Sequence, residues 1–401
     1  MAELSSSLPK IIINARAASR LRSGHVWVYE SDVLTKQNAQ PGALVHIVDA
    51  KGKLLGSALY SSSSQITLRL LTREALAGED DLLQLTAKRL EEAVAYRRRI
   101  VRNSNGYRMV FSEADRLPGL IVDRYNDLYT VQILTQAWDQ PERKASIVRR
   151  MQELTGAEHI VERVDERIRE LEQLPQLVPG VLHGNRSQTT FTMNDVQFHY
   201  DALGGQKTGA FLDQRENYAA AAAWCQGEAL DVCTYQGGFA LHLARTCEKV
   251  TAIDISREAL EIAERNEKLN AASNKSEIEW MEANAFDLLK DYSAIGRQYD
   301  SIVLDPPAFA RSKRNLEAAM RGYKELNLRA LKMLRPNGIL VSCSCSFHVS
   351  EADFIEVVTS AAVDAHRSVR ILEKRTQAVD HPILMGVPES YYLKCLICSV
   401  A

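Results

Sequence analysis

The chain has 401 residues, of which 46% are hydrophobic and 25% are charged, and its formal net charge is −2. This composition is typical of a globular protein with two or three domains, and it excludes a disordered, collagenous or coiled-coil chain. No apolar run approaches the roughly 20 residues that span a bilayer, and the first ten residues lack a secretion signal, so we expect a cytoplasmic protein without membrane contact.

The charge is unevenly distributed along the chain. Residues 1–75 carry nine Lys and Arg against five Asp and Glu, whereas residues 191–401 carry 23 against 28. A basic N-terminal part and an acidic C-terminal part indicate that only part of the surface contacts a polyanion. Ordinary variation of surface charge remains an alternative explanation.

Residues 1–73 are predicted to form a small β-barrel domain. Strand-like runs at residues 25–29, 43–49 and 66–71 are separated by the turn at Pro41-Gly42 and by the hairpin turn Lys51-Gly52-Lys53. Short strands between turn signals are typical of compact barrels.

Residues 74–188 are predicted to form a central α/β domain. A helix is expected over residues 82–102 and another over 145–154. Strands are expected at 120–122, 128–134 and 159–164, and the first two flank a tight turn and form a hairpin. The Pro- and Gly-rich stretch 174–184 is interpreted as loop, with a domain boundary between residues 175 and 190.

Residues 189–401 alternate between strand and helix patterns, which predicts a doubly wound Rossmann-like α/β fold with a parallel sheet and helices on both faces. The predicted strands are 228–233, 249–255, 277–283, 299–305, 339–345, 368–373 and 392–399. The predicted helices are 239–245, 257–269, 316–334 and 351–365, with a further helical run at 219–223.

The first two of these strands end in residues that suit a nucleoside ligand. Gly237 and Gly238 follow the first strand and allow a close backbone approach, and Asp254 ends the second strand, where an acidic residue typically accepts ribose hydroxyls. The spacing is not G-x-G-x-x-G, so a dinucleotide is disfavoured and an adenosyl cofactor without a diphosphate is favoured. The alternative is that these are structural features of any doubly wound fold.

Two further strand ends carry candidate catalytic residues. Asp305 is followed by Pro306 and Pro307, which fix the backbone and leave a rigid rim where a carboxylate could bond a planar base edge. A plain strand-to-helix turn is the alternative. Cys345 ends the fifth strand and is a candidate nucleophile if its thiolate forms. The alternatives are a pair of core cysteines and, less favoured, a metal site that combines Cys343 and Cys345 with Cys395 and Cys398.

Seven cysteines lie between Cys225 and Cys398. Their odd number, without a secretion signal, predicts reduced thiols and not a disulfide framework. No metal site is predicted.

Several segments resemble class I S-adenosylmethionine-dependent methyltransferases, and the whole chain resembles the bacterial 23S ribosomal RNA cytosine-5 methyltransferases, which carry an N-terminal PUA domain. The segments are residues 24–28, 115–123, 208–215, 235–239, 303–307, 321–327, 344–346 and 380–382. The resemblance implies a PUA-like RNA-binding domain at 1–73, a central domain at 74–188 and a catalytic domain at 189–401.

The resemblance also implies residue roles. Cys345 matches the nucleophile and Asp305 the carboxylate beside the target base. The positions implied to bind S-adenosylmethionine are Gln214, Arg215, Asp231, Tyr235, Gly237, Asp254, Asn284 and Asp305. Asn284 replaces the usual Asp at the adenine amine, although its carbonyl oxygen can still accept. Pro307 stands where many relatives carry a second cysteine, so any product-release role of that thiol must be met otherwise.

The activity implied by the resemblance is methylation of carbon 5 of a cytosine in large-subunit ribosomal RNA, with a homodimer as the expected assembly. Three alternatives remain open at this point: methylation of a purine nitrogen, which needs no cysteine; a non-catalytic RNA-binding ribosome-assembly factor; and a methyltransferase of small molecules or proteins. The sequence does not identify the base that removes the proton from carbon 5.

Overall fold

The computed structural model describes residues 8–204, 210–310 and 313–401; Thr208 and Gly209 of the 208–215 motif lie outside these ranges. The chain divides into two compact units. The described residues of the first unit are 8–189, 201–204 and 379–390, and those of the second are 190–200, 210–378 and 391–401. None of the described helices is both long and apolar enough to cross a membrane.

The first unit begins with a β-rich layer whose described strands pair in the order β2-β6-β5-β4-β1-β3. Its core contains Ile11, Val28, Val45, Ala58 and Leu68. The elements are β1 (Lys10–Ile13), α1 (Ala15–Arg22), β2 (Trp27–Tyr29), β3 (Val33–Lys36), β4 (Leu44–Asp49), β5 (Leu54–Tyr60) and β6 (Ile66–Thr72).

A second sheet in the same unit pairs its described strands in the order β11-β10-β9-β8-β7. The predicted hairpin is present, because β8 and β9 are antiparallel with Tyr125 opposite Leu128. The elements are α2 (Glu79–Ile100), β7 (Gly106–Phe111), β8 (Leu120–Tyr125), β9 (Leu128–Ile133), α3 (Pro141–Thr155), β10 (His159–Arg163), α4 (Glu166–Leu171) and β11 (Gly180–His183).

The interpretation of residues 174–184 as loop is wrong for its last part. Residues 180–183 form β11, which pairs antiparallel with β10. This pairing uses only backbone N–H and C=O groups, so it does not depend on the side chains. The nearby Pro and Gly residues and the half-exposed side chains therefore gave no strand pattern in the sequence. The predicted domain boundaries at residues 73 and 188 stay predictions.

The segment 379–390 completes the first unit. Asp380 is fully buried; its backbone carbonyl accepts a hydrogen bond from the Arg97 guanidinium (2.7 Å), and its carboxylate accepts one from the Arg108 backbone N–H (2.8 Å). The Asp380-His381-Pro382 motif is therefore held by packing inside this unit.

The second unit contains a short pair of antiparallel strands, β12 (Gln188–Met193, which begins in the first unit) and β13 (Val196–Asp201), followed by the doubly wound domain. The elements of that domain are α5 (Arg215–Trp224), β14 (Glu228–Val232), α6 (Gly238–Leu243), β15 (Lys249–Asp254), α7 (Arg257–Asn270), β16 (Ile278–Glu282), α8 (Ala285–Ala294), β17 (Tyr299–Leu304), α9 (Leu316–Met333), β18 (Leu334–Ser344), α10 (Glu351–Asp364), β19 (Val369–Arg375) and β20 (Lys394–Val400).

The described strands of this domain pair in the order β16-β15-β14-β17-β18-β20-β19, which confirms the predicted Rossmann-like fold. The prediction of a wholly parallel sheet is wrong at one edge, since β20 is antiparallel to both β18 and β19. β20 is the next strand in the chain after β19, separated from it by residues 376–393, and it lies between β19 and β18 in the sheet. The strand order reverses between β14 and β17, and ligands bind at the carboxyl ends of such strands.

Candidate functional site

A buried carboxylate holds the loop that follows β14. Asp231 is fully buried, and its Oδ2 accepts hydrogen bonds from the Thr234 hydroxyl (2.5 Å) and from the Ala240 backbone N–H (2.9 Å). Burial raises its pKa to about 7, against the lowering effect of these two hydrogen bonds. Its Oδ1 has no hydrogen-bond partner among the described residues. Asp231 therefore fixes the start and the end of the loop and leaves one carboxylate oxygen unused.

The loop has backbone conformations that demand small or tolerant residues. Tyr235 and Gly237 have positive φ angles of 53° and 85°. A Cβ atom on Gly237 would lie 2.8 Å from the Trp280 ring, and one on Gly238 would lie 2.4 Å from the Tyr218 ring. These distances are too short for any side chain, so both glycines are fixed by packing.

Asp254 ends β15 beside this loop, as predicted. Its Oδ2 accepts from the Tyr235 backbone N–H (2.8 Å) and its Oδ1 from the Ser256 backbone N–H (2.9 Å). A carboxylate has about four acceptor sites, so two remain for the hydroxyls of a ribose. Asp254 thus also holds the loop in place.

A cleft lies next to the loop. Tyr235 and Asp305 line it together with Phe211, Thr234 and Gln236. A glycine-containing loop, the adjacent Asp254 carboxylate with two acceptor sites left and the aromatic rings of Phe211 and Tyr235 suit an adenosyl group without a diphosphate. The residues present therefore fit S-adenosylmethionine.

Gln214 is joined directly to Asp305. Its Nε2 donates to Asp305 Oδ1 (3.0 Å), and its Oε1 accepts from Asn217 Nδ2 (2.7 Å). Asn217 Oδ1 in turn accepts from Arg375 Nε (3.0 Å). This chain orients the amide of Gln214 so that it presents a donor to Asp305.

Two of the predicted cofactor residues have local contacts instead. Arg215 is buried, and its guanidinium lies 3.3 Å from the Glu216 carboxylate. Asn284 is exposed at the start of α8, where its Oδ1 accepts from the backbone N–H groups of Phe286 (2.9 Å) and Asp287 (3.4 Å). The oxygen that was expected to accept the adenine amine is therefore already a helix cap.

Asp305 follows β17 at the rim of the cavity. Burial raises its pKa to about 8, and the nearby carboxylates of Asp213 and Asp231 raise it further, whereas the bond from Gln214 lowers it. Asp305 is therefore largely a neutral acid at pH 7 and can donate a hydrogen bond.

Cys345 follows β18, the strand next to β17. Its thiol is partly buried, and its Sγ lies 4.0 Å from the Pro306 carbonyl oxygen. Burial raises its pKa to about 12; the charges of Asp305 and Asp213 raise it, whereas that of Lys394 lowers it. Cys345 and the Asp305-Pro306-Pro307 rim are thus brought together, while Cys343 is fully buried in β18.

Sequence reasoning assigned no individual role in the site to five further residues, namely Asp213, Tyr323, Ser346, Tyr392 and Lys394. Tyr392 Oη donates to Asp213 Oδ2 (2.8 Å), and Tyr323 in α9 lies 2.9 Å from Ser346 through their hydroxyl oxygens. Lys394 Nζ donates to the Ser346 carbonyl. The sequence did contain one sign of Lys394, since it is a single cation in the otherwise mostly apolar last predicted strand.

The cysteine metal site considered above does not form. Among the described residues, one group of three potential ligands lies close together, namely Asp127, Glu158 and His159. Arg186 already donates to His159 (2.8 Å) and to Asp127. The Arg186 guanidinium therefore lies where a metal ion would have to bind.

The chain is similar both to known protein families and to individual proteins of known name. The sequence matches the PUA-like domain family over residues 11–73 and the S-adenosylmethionine-dependent methyltransferase family over residues 114–387. It is 35% identical over 397 residues to the ribosomal RNA large subunit methyltransferase I of Alteromonas mediterranea, covering 98% of both chains. It is also 35% identical over 401 residues to the protein of the same name from Vibrio cholerae, covering 98% of this chain and 99% of that protein.

Solved structures share the fold across the whole chain. A crystal structure of a methyltransferase complexed with S-adenosylhomocysteine is 17% identical, with a TM-score of 0.82 over 97% of this chain and 99% of the other. A second, described as an S-adenosylmethionine-dependent methyltransferase from Streptococcus mutans, is also 17% identical, with a TM-score of 0.80 over the same shares. At this identity the likeness concerns the fold alone.

Proposed function

The chain belongs to the S-adenosylmethionine-dependent methyltransferase family, and from this premise we propose that it methylates carbon 5 of a cytosine in large-subunit ribosomal RNA through a covalent adduct with Cys345. Its relatives at 35% identity over nearly their whole length are named ribosomal RNA large subunit methyltransferase I, which supports the RNA substrate. The PUA-like match at residues 11–73 supports an RNA-binding role for the N-terminal part. Ribosomal RNA as substrate implies action in the cytoplasm; the homodimer stays a prediction.

The observation that carries this proposal is the pairing of a thiol with a neutral carboxyl at one rim. Cys345 Sγ lies 4.0 Å from the carbonyl of Pro306, the residue that follows Asp305. Methylation of a ring nitrogen would need the rim but not the thiol. Carbon 5 of cytosine is a poor nucleophile and needs a thiolate on carbon 6, so the thiol favours carbon 5.

The residues of this chain then have distinct tasks. The Cys345 thiolate bonds to carbon 6 while the Asp305 carboxyl donates its proton to the ring nitrogen, which neutralises the developing charge. Bound S-adenosylmethionine supplies the methyl group that carbon 5 receives. A base then removes the proton from carbon 5, the bond between carbon 6 and sulfur breaks, and Cys345 leaves as a thiolate. The ring nitrogen returns its proton to the Asp305 carboxylate, which restores the neutral acid.

The cofactor would be held by the loop that follows β14 and by the neighbouring strand ends. The backbone of Tyr235 to Gly237 would approach it closely, Asp254 would accept its ribose hydroxyls, and the Asn284 amide would reach its base. Asp231 and Gln214 would act by fixing the loop and the Asp305 carboxyl. Because carbon 6 is covered inside a helix, the target cytosine must be unpaired or flipped out.

The test is product analysis with a nucleophile variant. Purified protein is incubated with labelled S-adenosylmethionine and ribosomal RNA from a strain that lacks its gene, and the digested nucleosides are analysed by mass. We expect the label in 5-methylcytidine, with Cys345→Ala reducing the rate by at least 10³-fold because the covalent route is lost. Cys343→Ala, a buried thiol two residues earlier, is the matched control and should retain activity.

Two outcomes would contradict the proposal. A label in a methylated purine, or full activity of Cys345→Ala, would favour the nitrogen-methylating alternative. RNA binding without any label, on naked RNA and on ribosomal particles alike, would favour a non-catalytic assembly factor.

A further inference from the structure

Lys394 is a buried cation without a carboxylate partner. It begins β20, its side chain is 2% exposed, and its neighbours Cys395, Leu396 and Ile397 are fully buried or nearly so. Its Nζ donates to the carbonyl oxygens of Ser346 (2.6 Å) and Tyr392 (2.9 Å). Within the described part of the chain, its third N–H has no partner and no carboxylate lies within ion-pair distance.

An ammonium in such a place is energetically unfavourable. Removing a charge from water costs several kcal/mol unless an opposite charge compensates it. Burial lowers the pKa of Lys394 to about 8, and the negative charges that oppose this are those of Cys345 and Asp353. Asp353 is engaged elsewhere, since its Oδ2 accepts from the backbone N–H and the hydroxyl of Ser350 at the start of α10.

Cys345 is therefore the group that can supply the missing counter-ion. Lys394 is anchored to the carbonyl of Ser346, the residue directly after Cys345, so the ammonium is tied to the backbone that carries the thiol. The other titratable groups that act on Cys345 are Asp305 and Asp213, and both disfavour the thiolate. Lys394 is the cation that acts in the opposite direction.

We propose that Lys394 is the counter-ion of the Cys345 thiolate, a positioning residue that acts on the reaction through the nucleophile. The thiol proton leaves to solvent and the sulfur keeps the electron pair; below about pH 8 the ammonium keeps its own proton and stabilises the anion. This inference rests on the proposed function only in so far as Cys345 is the nucleophile.

The test measures the thiol and needs neither RNA nor cofactor. The rate at which iodoacetamide alkylates Cys345 is followed by peptide mass spectrometry between pH 7 and pH 10.5 in the full-length protein. Lys394→Gln removes the charge but keeps two N–H donors for the two carbonyls, and Lys394→Arg keeps the charge. Lys374→Gln, an exposed lysine on the neighbouring strand β19, is the matched control.

We expect Lys394→Gln to slow alkylation of Cys345 about tenfold at pH 7, the effect of a rise of about one unit in the thiol pKa, while Lys394→Arg and Lys374→Gln change it little. Because the pKa of Lys394 is about 8, the difference between Lys394→Gln and wild type should shrink as the pH rises above 8. Should Lys394→Gln not fold, Lys394→Met, which removes the buried charge altogether, takes its place. Equal pH profiles in wild type and in either neutral variant would overturn the inference. That result would leave the proposed function standing if 5-methylcytidine is still formed, so the two failures are distinguishable.

Discussion

Asp305 and Cys345 are kept neutral by the same cause, burial at the carboxyl ends of adjacent strands. The charged form of Asp305 raises the pKa of Cys345, so the pair favours at most one negative charge. With Asp305 protonated, the repulsion that opposes the Cys345 thiolate disappears. Because the thiol pKa of about 12 lies above the carboxyl pKa of about 8, a thiolate beside a neutral Asp305 needs a further group that stabilises the anion.

The raised pKa of Asp305 has a consequence for stability. Its carboxyl binds a proton up to about pH 8 in the folded state but only up to about pH 4 in the unfolded chain. The folded state therefore binds more protons between these values, and the stability that this carboxyl contributes is lost as the pH rises towards 8.

We therefore expect Asp305→Asn to raise the melting temperature relative to wild type at pH 8.5 and to change it little at pH 4.5, while reducing methylation at least 10²-fold because the proton donor is lost. Thermal unfolding across this pH range checks the first part and the RNA assay the second. Asp291→Asn, an exposed carboxylate of α8, controls for loss of a surface charge. An equal difference at both pH values would contradict the assignment of a neutral Asp305.

At the scale of secondary-structure elements, the sequence predicted those strands and helices that have a clear local pattern of apolar residues. The buried, apolar strands β14, β15, β17 and β18 and the amphipathic helices between them were found, and so were the residues at their ends. The edge strand β11 was missed, because its side chains are half-buried or exposed and its backbone hydrogen bonds leave no apolar period in the sequence. β7 was also missed, although Tyr107, Met109 and Val110 are buried in the core. The reversal of β20 is likewise a property of the sheet and not of the segment.

The candidate site follows the same division. Asp305, Cys345 and Asp254 could be predicted because each ends a recognisable strand. The bond from Gln214 to Asp305 and the anchoring of Lys394 could not, since each joins residues at least 48 positions apart in the chain. Such contacts exist only after the strands have been ordered.

The loop that follows β14 gives a prediction at this scale. Gly238→Ala would place a methyl group 2.4 Å from the Tyr218 ring, which packs edge-on against Phe239 and cannot move freely. We expect a loss of about 1–3 kcal/mol in stability and at least a tenfold weaker affinity for S-adenosylmethionine by calorimetry. Gly78→Ala, where a Cβ meets nothing within 4 Å, is the control. Unchanged affinity would mean that the loop does not hold the cofactor.

At the scale of the whole molecule, the excess of positive charge lies in the N-terminal part of the chain, whereas the candidate site lies in the second unit. The basic residues of the N-terminal part include several that are already paired, such as Arg20 with Asp32 and Lys36 with Glu30. Among the exposed cations of the described residues 8–73, four have neither an ion pair nor a side-chain hydrogen bond: Lys10, Arg16, Lys51 and Lys53. These side chains are available to neutralise phosphates.

We expect the combined substitution of these four cations by Ala to weaken RNA binding mainly through its salt dependence, because each lost phosphate contact removes about one unit from the slope of log affinity against log salt concentration. Affinity for S-adenosylmethionine should not change, since its predicted residues lie in the second unit. Filter binding at several salt concentrations gives the slope, and the combined substitution of four exposed cations of the second unit is the control: Lys268, Lys275, Lys290 and Lys332. If the control lowers the slope as much as the four N-terminal substitutions do, RNA is held by charge spread over the molecule, and the PUA-like domain has no special part in binding it.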